Sequence, residues 1–466
     1  MITRIELDGF KTFQNFTLDL SPFQEIVGAN GVGKSNLFDS LRLLARLADV
    51  DLRTAFQDLR GEAGELFAVL PDGAITTRLR LVVELLVDRQ VRDSWGAEEE
   101  LKYTRMRYHL EVERRDDERG LERLYVVHES LKALPRDQDL WIKRLLHERR
   151  ELWLPTPKRG RQEAFISTEL KDGIATISLH QDGHGGRKVS VAERVERTVL
   201  SGVSNTEFPH AFAVREEIRA WGFLQLNPQV LREPSPMLNH PFVAPDGSNL
   251  PNALARMQAS DPLLLNDVSR DLANLVPGII TVVVEADQAR NRYLVWAKTE
   301  DGRAFSSRVL SDGTLRMLAL VTLKNDPQHH GVLCFEEPEN GVHPFRLQRI
   351  AELLHSLATD FDDAGQAKEP LRQLLVNTHS PAFVKQPVVL PHLLFAQAVT
   401  TVTPGTKHPA MRMTRIVPVA LDAQTRMALG VDKREQDYTL DQIVAYLSSA
   451  AADDTITDLM MGSPWG

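Results

Sequence analysis

Eight residues constrain this chain more than any other stretch: Gly28-Ala29-Asn30-Gly31-Val32-Gly33-Lys34-Ser35 fits the pattern G-x-x-x-x-G-K-S/T. The short run Glu25-Ile26-Val27 leads into it as a strand, and Asn36 to Leu44 carries apolar residues at helical spacing. Strand, glycine loop and helix start together aim backbone N–H groups and a helix N-terminus at an anion. In such a loop Lys34 reaches the β- and γ-phosphates of a nucleoside triphosphate, and the Ser35 hydroxyl coordinates Mg²⁺. The alternative, a glycine turn inside an ordinary strand–helix unit, leaves the lysine and the serine at those places unexplained.

With 466 residues the chain has room for about three domains, or for one large core carrying an insertion. A hydrophobic fraction of 42% beside 26% charged residues supports a buried core. No apolar run approaches the ~20 residues needed to span a bilayer. Met1 to Leu7 alternates like a strand and lacks the apolar centre of a signal peptide. The single cysteine, Cys334, excludes an internal disulfide framework and a multi-cysteine zinc site, and its apolar setting predicts a small buried side chain. Together these features predict a cytoplasmic protein with no membrane partner. A net charge of −9 is the opposite of what a bulk polyanion binder carries, so nucleic-acid contact would need a local patch or a partner.

Period-two alternation marks strands at Met1–Leu7, Phe16–Leu20, Thr76–Leu85 and Met106–Glu113. Residues 1–135 therefore form the first part of a nucleotide-binding core. Residues 136–262 read as an inserted helical and loop subdomain, with helical spacing over Asp139–Leu154 and Val191–Leu200. A loop dense in proline, asparagine and glycine follows over Asn227–Pro251. Strand–helix alternation returns over 263–400, with apolar strands at Gly278–Val284, Arg292–Ala297, Val332–Phe335 and Gln373–Val376. Residues 401–466 form a C-terminal extension. The chain shows no internal repeat, and no heptad pattern long enough for a coiled coil.

Four further sites lie in this second part. Phe335-Glu336-Glu337-Pro338 ends an apolar strand in two carboxylates, suited to holding Mg²⁺ and orienting an attacking water. Standing alone, it could be a strand ending in solvated acids. Leu310-Ser311-Asp312-Gly313-Thr314 opens a helix, where Ser311 or Asp312 would also serve as a plain N-cap. Asn377-Thr378-His379-Ser380-Pro381 puts a histidine at a strand's carboxyl end, where α/β sheets meet ligands. Glu339 to Pro344, including His343, links the acids to the next helix.

This ordered set resembles the ABC-type ATPase heads of the RecF/SMC superfamily. Lys11 in Gly9-Phe10-Lys11-Thr12-Phe13 is similar to their opening "gFKsF", and Gly28–Ser35 to their Walker A motif with its Asn30-Gly31 pair. Leu310–Thr314 resembles the signature, Glu336-Glu337 the Walker B acids, Glu339–Pro344 the D-loop, and His379 the switch histidine. The resemblance covers roughly residues 1–85 and 263–385. "LSDGT", "EEPENGVHP", "NTHSP" and Pro245–Leu250 are most similar to stand-alone ATPases related to the OLD nucleases, which occur in anti-phage systems of the Gabija and PARIS type. Three departures stand out. Glu336 replaces the usual Asp, His343 stands where the D-loop acid is expected, and Gln225 is only a candidate Q-loop glutamine. Residues 386–466 contain no D-x-D pair, so a TOPRIM nuclease domain is not expected.

The resemblance implies an α/β, split ABC-type head with a mixed sheet and flanking helices. It implies hydrolysis of ATP to ADP and phosphate with Mg²⁺. Gly28, Asn30, Gly31, Gly33, Lys34, Ser35, Asn36 and Lys11 would bind nucleotide, with Ser311 and Gly313 of a second copy. Ser35 and Glu336 would hold the metal, and Glu337, Glu336 and His379 would act in catalysis. An ATP-gated homodimer working with a separately encoded effector is the leading expectation. A slow-turnover scaffold that cages an effector, and a RecF-like DNA-repair ATPase, are the alternatives. For the last, Lys143, Arg144, Arg149, Arg150, Lys158, Arg159 and Arg161, interleaved with Trp141 and Trp153, form a candidate DNA arm; the plainer reading is a solvated helix face over buried tryptophans.

Overall fold

The computed structural model describes residues 1–449 except 71, 118, 146–149, 156–163, 172–173, 182–186, 192–195, 341, 403–409 and 420–437. Two large sheets dominate it. One has six strands in the order Gly222–Leu224, Gly331–Glu336, Arg372–Thr378, Phe23–Val27, Leu393–Val402, Ala410–Pro418. Its first five strands are parallel neighbours, and only the last pair is antiparallel. We call the first four the edge, acid, histidine and loop strands.

The second sheet has eight antiparallel strands, in the order Arg187–Val191, Ile174–His180, Ala164–Lys171, Glu122–Ala133, Arg105–Asp116, Arg78–Leu86, Ile2–Asp8, Phe16–Asp19. A small antiparallel sheet of Ser235–Pro236, Arg292–Thr299, Ile279–Asp287 and Ala304–Ser306 precedes the helix Asp312–Asn325.

The loop strand is buried at all five positions because the parallel sheet is covered on both faces; Phe23, Ile26 and Val27 are apolar as such a strand requires, and Gln24 and Glu25 are its exceptions. Ile26, Cys334, Leu375 and Leu394 face a core shared with the antiparallel sheet and the helices Lys34–Leu47 and Pro209–Arg219. Phe23, Val27, Phe335, Leu374 and Val376 face a second core, closed by helices Leu250–Ser260, Pro262–Leu275, Asp312–Asn325 and Leu347–His355. Lys34–Leu47 earns its helical form from Leu37, Leu41 and Leu44, spaced three or four apart and all buried. Cys334 is buried as expected, and burial pushes its thiol well above the usual range.

Residues 136–262 are more mixed than their sequence suggested. Helices Leu140–Leu145 and Arg150–Trp153 are present, and the Asn227–Pro251 loop holds a four-residue helix, Pro228–Leu231, the two-residue strand and, at its end, the start of helix Leu250–Ser260. Ala164–Lys171, Ile174–His180 and Arg187–Val191, however, extend the antiparallel sheet, and Gly222–Leu224 edges the parallel one. The helix expected over Val191–Leu200 lies partly outside the described residues, at 192–195; of its ends, Val191 closes a strand and Leu200 opens the 3₁₀ turn Leu200–Gly202. Among the described residues no helix is long and apolar enough to cross a membrane.

Candidate nucleotide site

Parallel neighbours send their carboxyl ends out of the same side of a sheet, and ligands of open α/β sheets bind there. Four chain reversals meet on that side: Val27 into Gly28, Thr378 into His379, Glu336 into Glu337, and Leu224 into Gln225. The histidine strand lies between the loop and acid strands, since Thr378 pairs with Val27 and Asn377 with Glu336. At about 4.8 Å per strand, Glu336 stands roughly 10 Å across the sheet from the loop strand.

The loop is shaped by glycine. Gly31 and Gly33 take φ of 71° and 100°, a region costly for other residues. Gly33 is also crowded, because a Cβ there would lie 1.9 Å from Thr414 Oγ1. Thr414 bonds to the Val32 carbonyl at 2.9 Å and to the Thr12 hydroxyl at 2.6 Å, and Thr12 accepts from Asn36 Nδ2 at 2.9 Å. The strand Ala410–Pro418 thus braces the loop, a contact no sequence signal announced. Lys34 is buried and donates to the carbonyls of Gly28 at 2.6 Å and Ala29 at 2.8 Å. No side chain caps the helix that starts at Lys34. Lys11, expected to contact nucleotide, places its ammonium 2.7 Å from Asp39 of that helix. Asn36 likewise turns its amide to Thr12.

The two acids differ. Glu336 is partly exposed and faces Arg60 Nη2 at 4.0 Å. Glu337 follows in a left-handed backbone conformation with φ 51°, which costs a non-glycine residue on the order of 1–2 kcal/mol. Its N–H donates to the Asn377 carbonyl at 2.8 Å, and Asn340 Nδ2 donates to its Oε2 at 2.5 Å. Its Oε1 lies 3.0 Å from His379 Nδ1, within ion-pair distance but without the alignment of a hydrogen bond. Both side chains are more than a third exposed, so the pair opens toward a ligand.

The Ser35 hydroxyl has no protein hydrogen-bond partner among the described residues, and the Glu336 carboxylate is reachable from solvent. A hydroxyl and a carboxylate are oxygen donors of the kind Mg²⁺ takes, so the residues fit that ion.

Other expected residues sit elsewhere. Ser311 caps its helix, accepting from Thr314 N at 3.2 Å, while exposed Asp312 pairs with Arg232 at 2.6 Å. Gly313 lies in the first turn of that helix. Among the described residues the partners of this segment are its own turn and Arg232, and none is in the phosphate loop. His343 caps a short 3₁₀ turn and stacks on the exposed Phe345. In the candidate DNA arm, Trp141 and Trp153 are buried against Phe361, which removes them as base-stacking platforms. Lys143 donates to the Asp137 carbonyl and Arg144 pairs with Asp19. Arg149, Lys158, Arg159 and Arg161 lie outside the described residues, as does the side chain of Arg150.

Two residues join the site from outside the expected set. Gln225, assigned only weakly from sequence, follows the edge strand beside Glu336 and lines an open cavity of about 690 Å³ with Arg42, Phe223, Asn227 and Asp246. Arg60, which no motif marks, comes from the stretch after helix Leu52–Gln57.

Three SMC heads are among the solved structures to which the chain is similar. One is an SMC head bound to the C-terminal winged-helix domain of ScpA, 13% identical with a TM-score of 0.44, covering 89% of this chain and 98% of that one. A second is the SMC head domain from Thermotoga maritima, 12% identical with a TM-score of 0.36, covering 90% and 99%. A third, with an extended coiled coil, is bound to the C-terminal domain of ScpA derived from Pyrococcus furiosus; it is 12% identical with a TM-score of 0.44, covering 92% and 98%. None of the curated proteins compared is a significant match. The profile described as "AAA domain, putative AbiEii toxin, Type IV TA system" matches residues 26–385, from the loop strand past His379, and the chain belongs to that family.

Proposed function

We propose that this chain is an ABC-type ATPase of the RecF/SMC superfamily that binds and hydrolyses ATP and uses the nucleotide to gate its own dimerisation. The observation that carries the reading is the Glu337–His379 pair, held on neighbouring parallel strands beside the phosphate loop. Lys34 would leave the Gly28 and Ala29 carbonyls for the β- and γ-phosphates. Ser35 and Glu336 would hold Mg²⁺, which when bound offsets phosphate charge. Glu337 would take the proton of the attacking water, giving ADP and phosphate, while His379 orients that carboxylate and faces the γ-phosphate. Arg60, already beside Glu336, would add a cation at the same place.

What one copy lacks supports the dimer reading. Ser311, Asp312 and Gly313 begin a helix whose first residues are exposed; Ser311 bonds within its own turn and Asp312 to Arg232. A second copy can bring that helix start to the phosphates, as the signature of ABC-type heads does. Shifting a dimer equilibrium from 1:99 to 99:1 requires nucleotide to favour the closed state by ~5.5 kcal/mol. A role with a separately encoded effector in bacterial defence, close to the OLD-like stand-alone ATPases, fits the family description, which names a putative toxin of a type IV toxin–antitoxin system.

The test is the ATP-dependent mass of Glu337→Gln by light scattering, alone and combined with Ser311→Arg. A dimer with ATP, lost on adding Ser311→Arg while ATP still binds, is expected. A dimer that survives Ser311→Arg reduces that serine to a helix cap and overturns the trans assignment.

A further inference from the structure

Behind the Glu337–His379 pair lies a carboxyl group that the proposed chemistry does not use. Glu25, in the middle of the loop strand, is fully buried, and neither of its oxygens has a hydrogen-bond partner among the described residues. Its register neighbours on either side are Val376 and Leu393, both buried and apolar. An unpaired carboxylate in such a place is strongly disfavoured, and the usual outcome is that it keeps its proton. Burial, with the neighbouring Glu339 carboxylate, pushes Glu25 well above the ordinary carboxylate range.

Glu339 has the complementary defect. Its Oε1 accepts from the Thr378 hydroxyl, but its Oε2 is buried and without a partner. Burial raises its carboxyl as well; the Thr378 hydroxyl and the His379 charge oppose that rise, and Glu337 adds to it. Thr378, whose hydroxyl holds Glu339, pairs with Val27, two positions along the loop strand from Glu25. An acid short of an acceptor and a buried oxygen short of a donor thus stand at the same end of neighbouring strands. Glu339 also sits inside the turn that shapes the candidate base: Asn340 N returns to the Glu337 carbonyl, and Val342 N to the Glu339 carbonyl.

We propose that Glu25 is retained as a neutral carboxylic acid whose O–H closes on Glu339 Oε2, and that this bond makes it a positioning residue for the Glu337 turn. Through it, the strand that carries the phosphate loop and the turn that carries the base share one buried bond. Movement of either is felt by the other without any contact through nucleotide. The proposal rests on the reading of Glu337 as the base. The groups around the pair are Thr378, His379 and Glu337 on the turn side, with His355 and His392 packed on Phe23 of the same strand.

The experiment compares Glu25→Gln, whose amide can donate to Glu339 as the neutral acid does, with Glu25→Leu, which cannot. Expected for Glu25→Leu is a fall in kcat of about tenfold, with ATP affinity and melting temperature within error of the starting protein. Glu25→Gln keeps at least half the kcat, and its alkaline limb moves to higher pH because an amide does not ionise. Equal loss in both variants, or no loss in Glu25→Leu, overturns the positioning role. Infrared spectroscopy of the starting protein at pH 8 reads the shared proton directly. The carbonyl band of a protonated carboxyl group should be present and should disappear in Glu25→Gln; its absence from the starting protein overturns the proposal without reference to turnover. Full turnover in Glu337→Gln would instead sink the hydrolysis reading, and the infrared result would stand apart from it.

Discussion

The two large sheets put their polar residues in different places. In the antiparallel sheet, polar side chains lie along the strands: Glu6 pairs with Arg80 at 2.6 Å and Arg107 at 2.7 Å, Arg107 with Glu84 at 2.7 Å, and Arg78 with Glu113 at 2.9 Å. One face is core and the other a lattice of ion pairs across neighbouring strands. In the parallel sheet both faces are core, so apart from Glu25 and Gln24 the loop strand has no polar side chain. Its reactive groups are pushed to the strand ends: Lys34 and Ser35 after one strand, Glu336 and Glu337 at another, His379 after a third. A sheet that spreads its charge along a face supports itself, whereas one that gathers charge at its ends can meet a ligand.

That division predicts that damage to each sheet is read by a different instrument. Glu337→Gln should lower turnover by ~10²–10⁴-fold with ATP still bound and the melting temperature unchanged. Steady-state phosphate release beside calorimetry checks this, and a parallel loss of stability would break the contrast. Leu110→Ala removes a fully buried side chain from the antiparallel sheet and should cost about 2–5 kcal/mol of unfolding free energy. ATP affinity of the folded fraction should stay within twofold; a larger change would mean that the sheets are not separable in this way.

The smallest effect is a pH dependence. Glu129, in the antiparallel sheet, is fully buried, accepts from Val199 N, Leu200 N and Tyr108 OH, and is pushed up to about 7 by burial. Its folded value lies above its unfolded one, so its contribution is complete below about pH 4.5 and is lost as pH rises toward 7. Relative to Glu129→Gln, the starting protein should lose on the order of 2 kcal/mol between pH 5 and 7, followed by denaturant titration. A flat difference would remove Glu129 from the pH response.

The parallel sheet was the more legible of the two. Its three central strands, Phe23–Val27, Gly331–Glu336 and Arg372–Thr378, are apolar runs that stop at glycine, acid or histidine and could be read directly, whereas Gly222–Leu224, Leu393–Val402 and Ala410–Pro418 were not foreseen. The eight-stranded sheet was read only in part. Its first strands alternate clearly, but Ala164–Lys171 leaves Leu170 exposed beside buried Phe165 and Ile166, and this broken pattern hid it. Much of the Val191–Leu200 expectation lies outside the described residues, and what is described there is a strand end at Val191 and a 3₁₀ turn from Leu200. Glu25 read as an ordinary member of a short strand, since nothing local says that its neighbour will be Glu339. Arg60 and Thr414 stayed silent for the same reason, as their partners are remote in sequence. Of the two readings of Trp141 and Trp153, the plainer one holds: both are buried, packed on Phe361, while the charge of their helices is what the sequence displays.

The strand order of the parallel sheet also bears on how the chain is made. The antiparallel sheet pairs strands that leave the ribosome close together, from Ile2–Asp8 to Glu122–Ala133, and its central part can assemble early. Val27, by contrast, pairs with Thr378 on one side and Phe395 on the other. The phosphate loop is among the first segments synthesised and among the last to find both of its neighbours, and such long-range closure is slow. During synthesis, nucleotide therefore has no completed pocket to enter, and ATP can act on the newborn chain only as a final clasp on an already folded body.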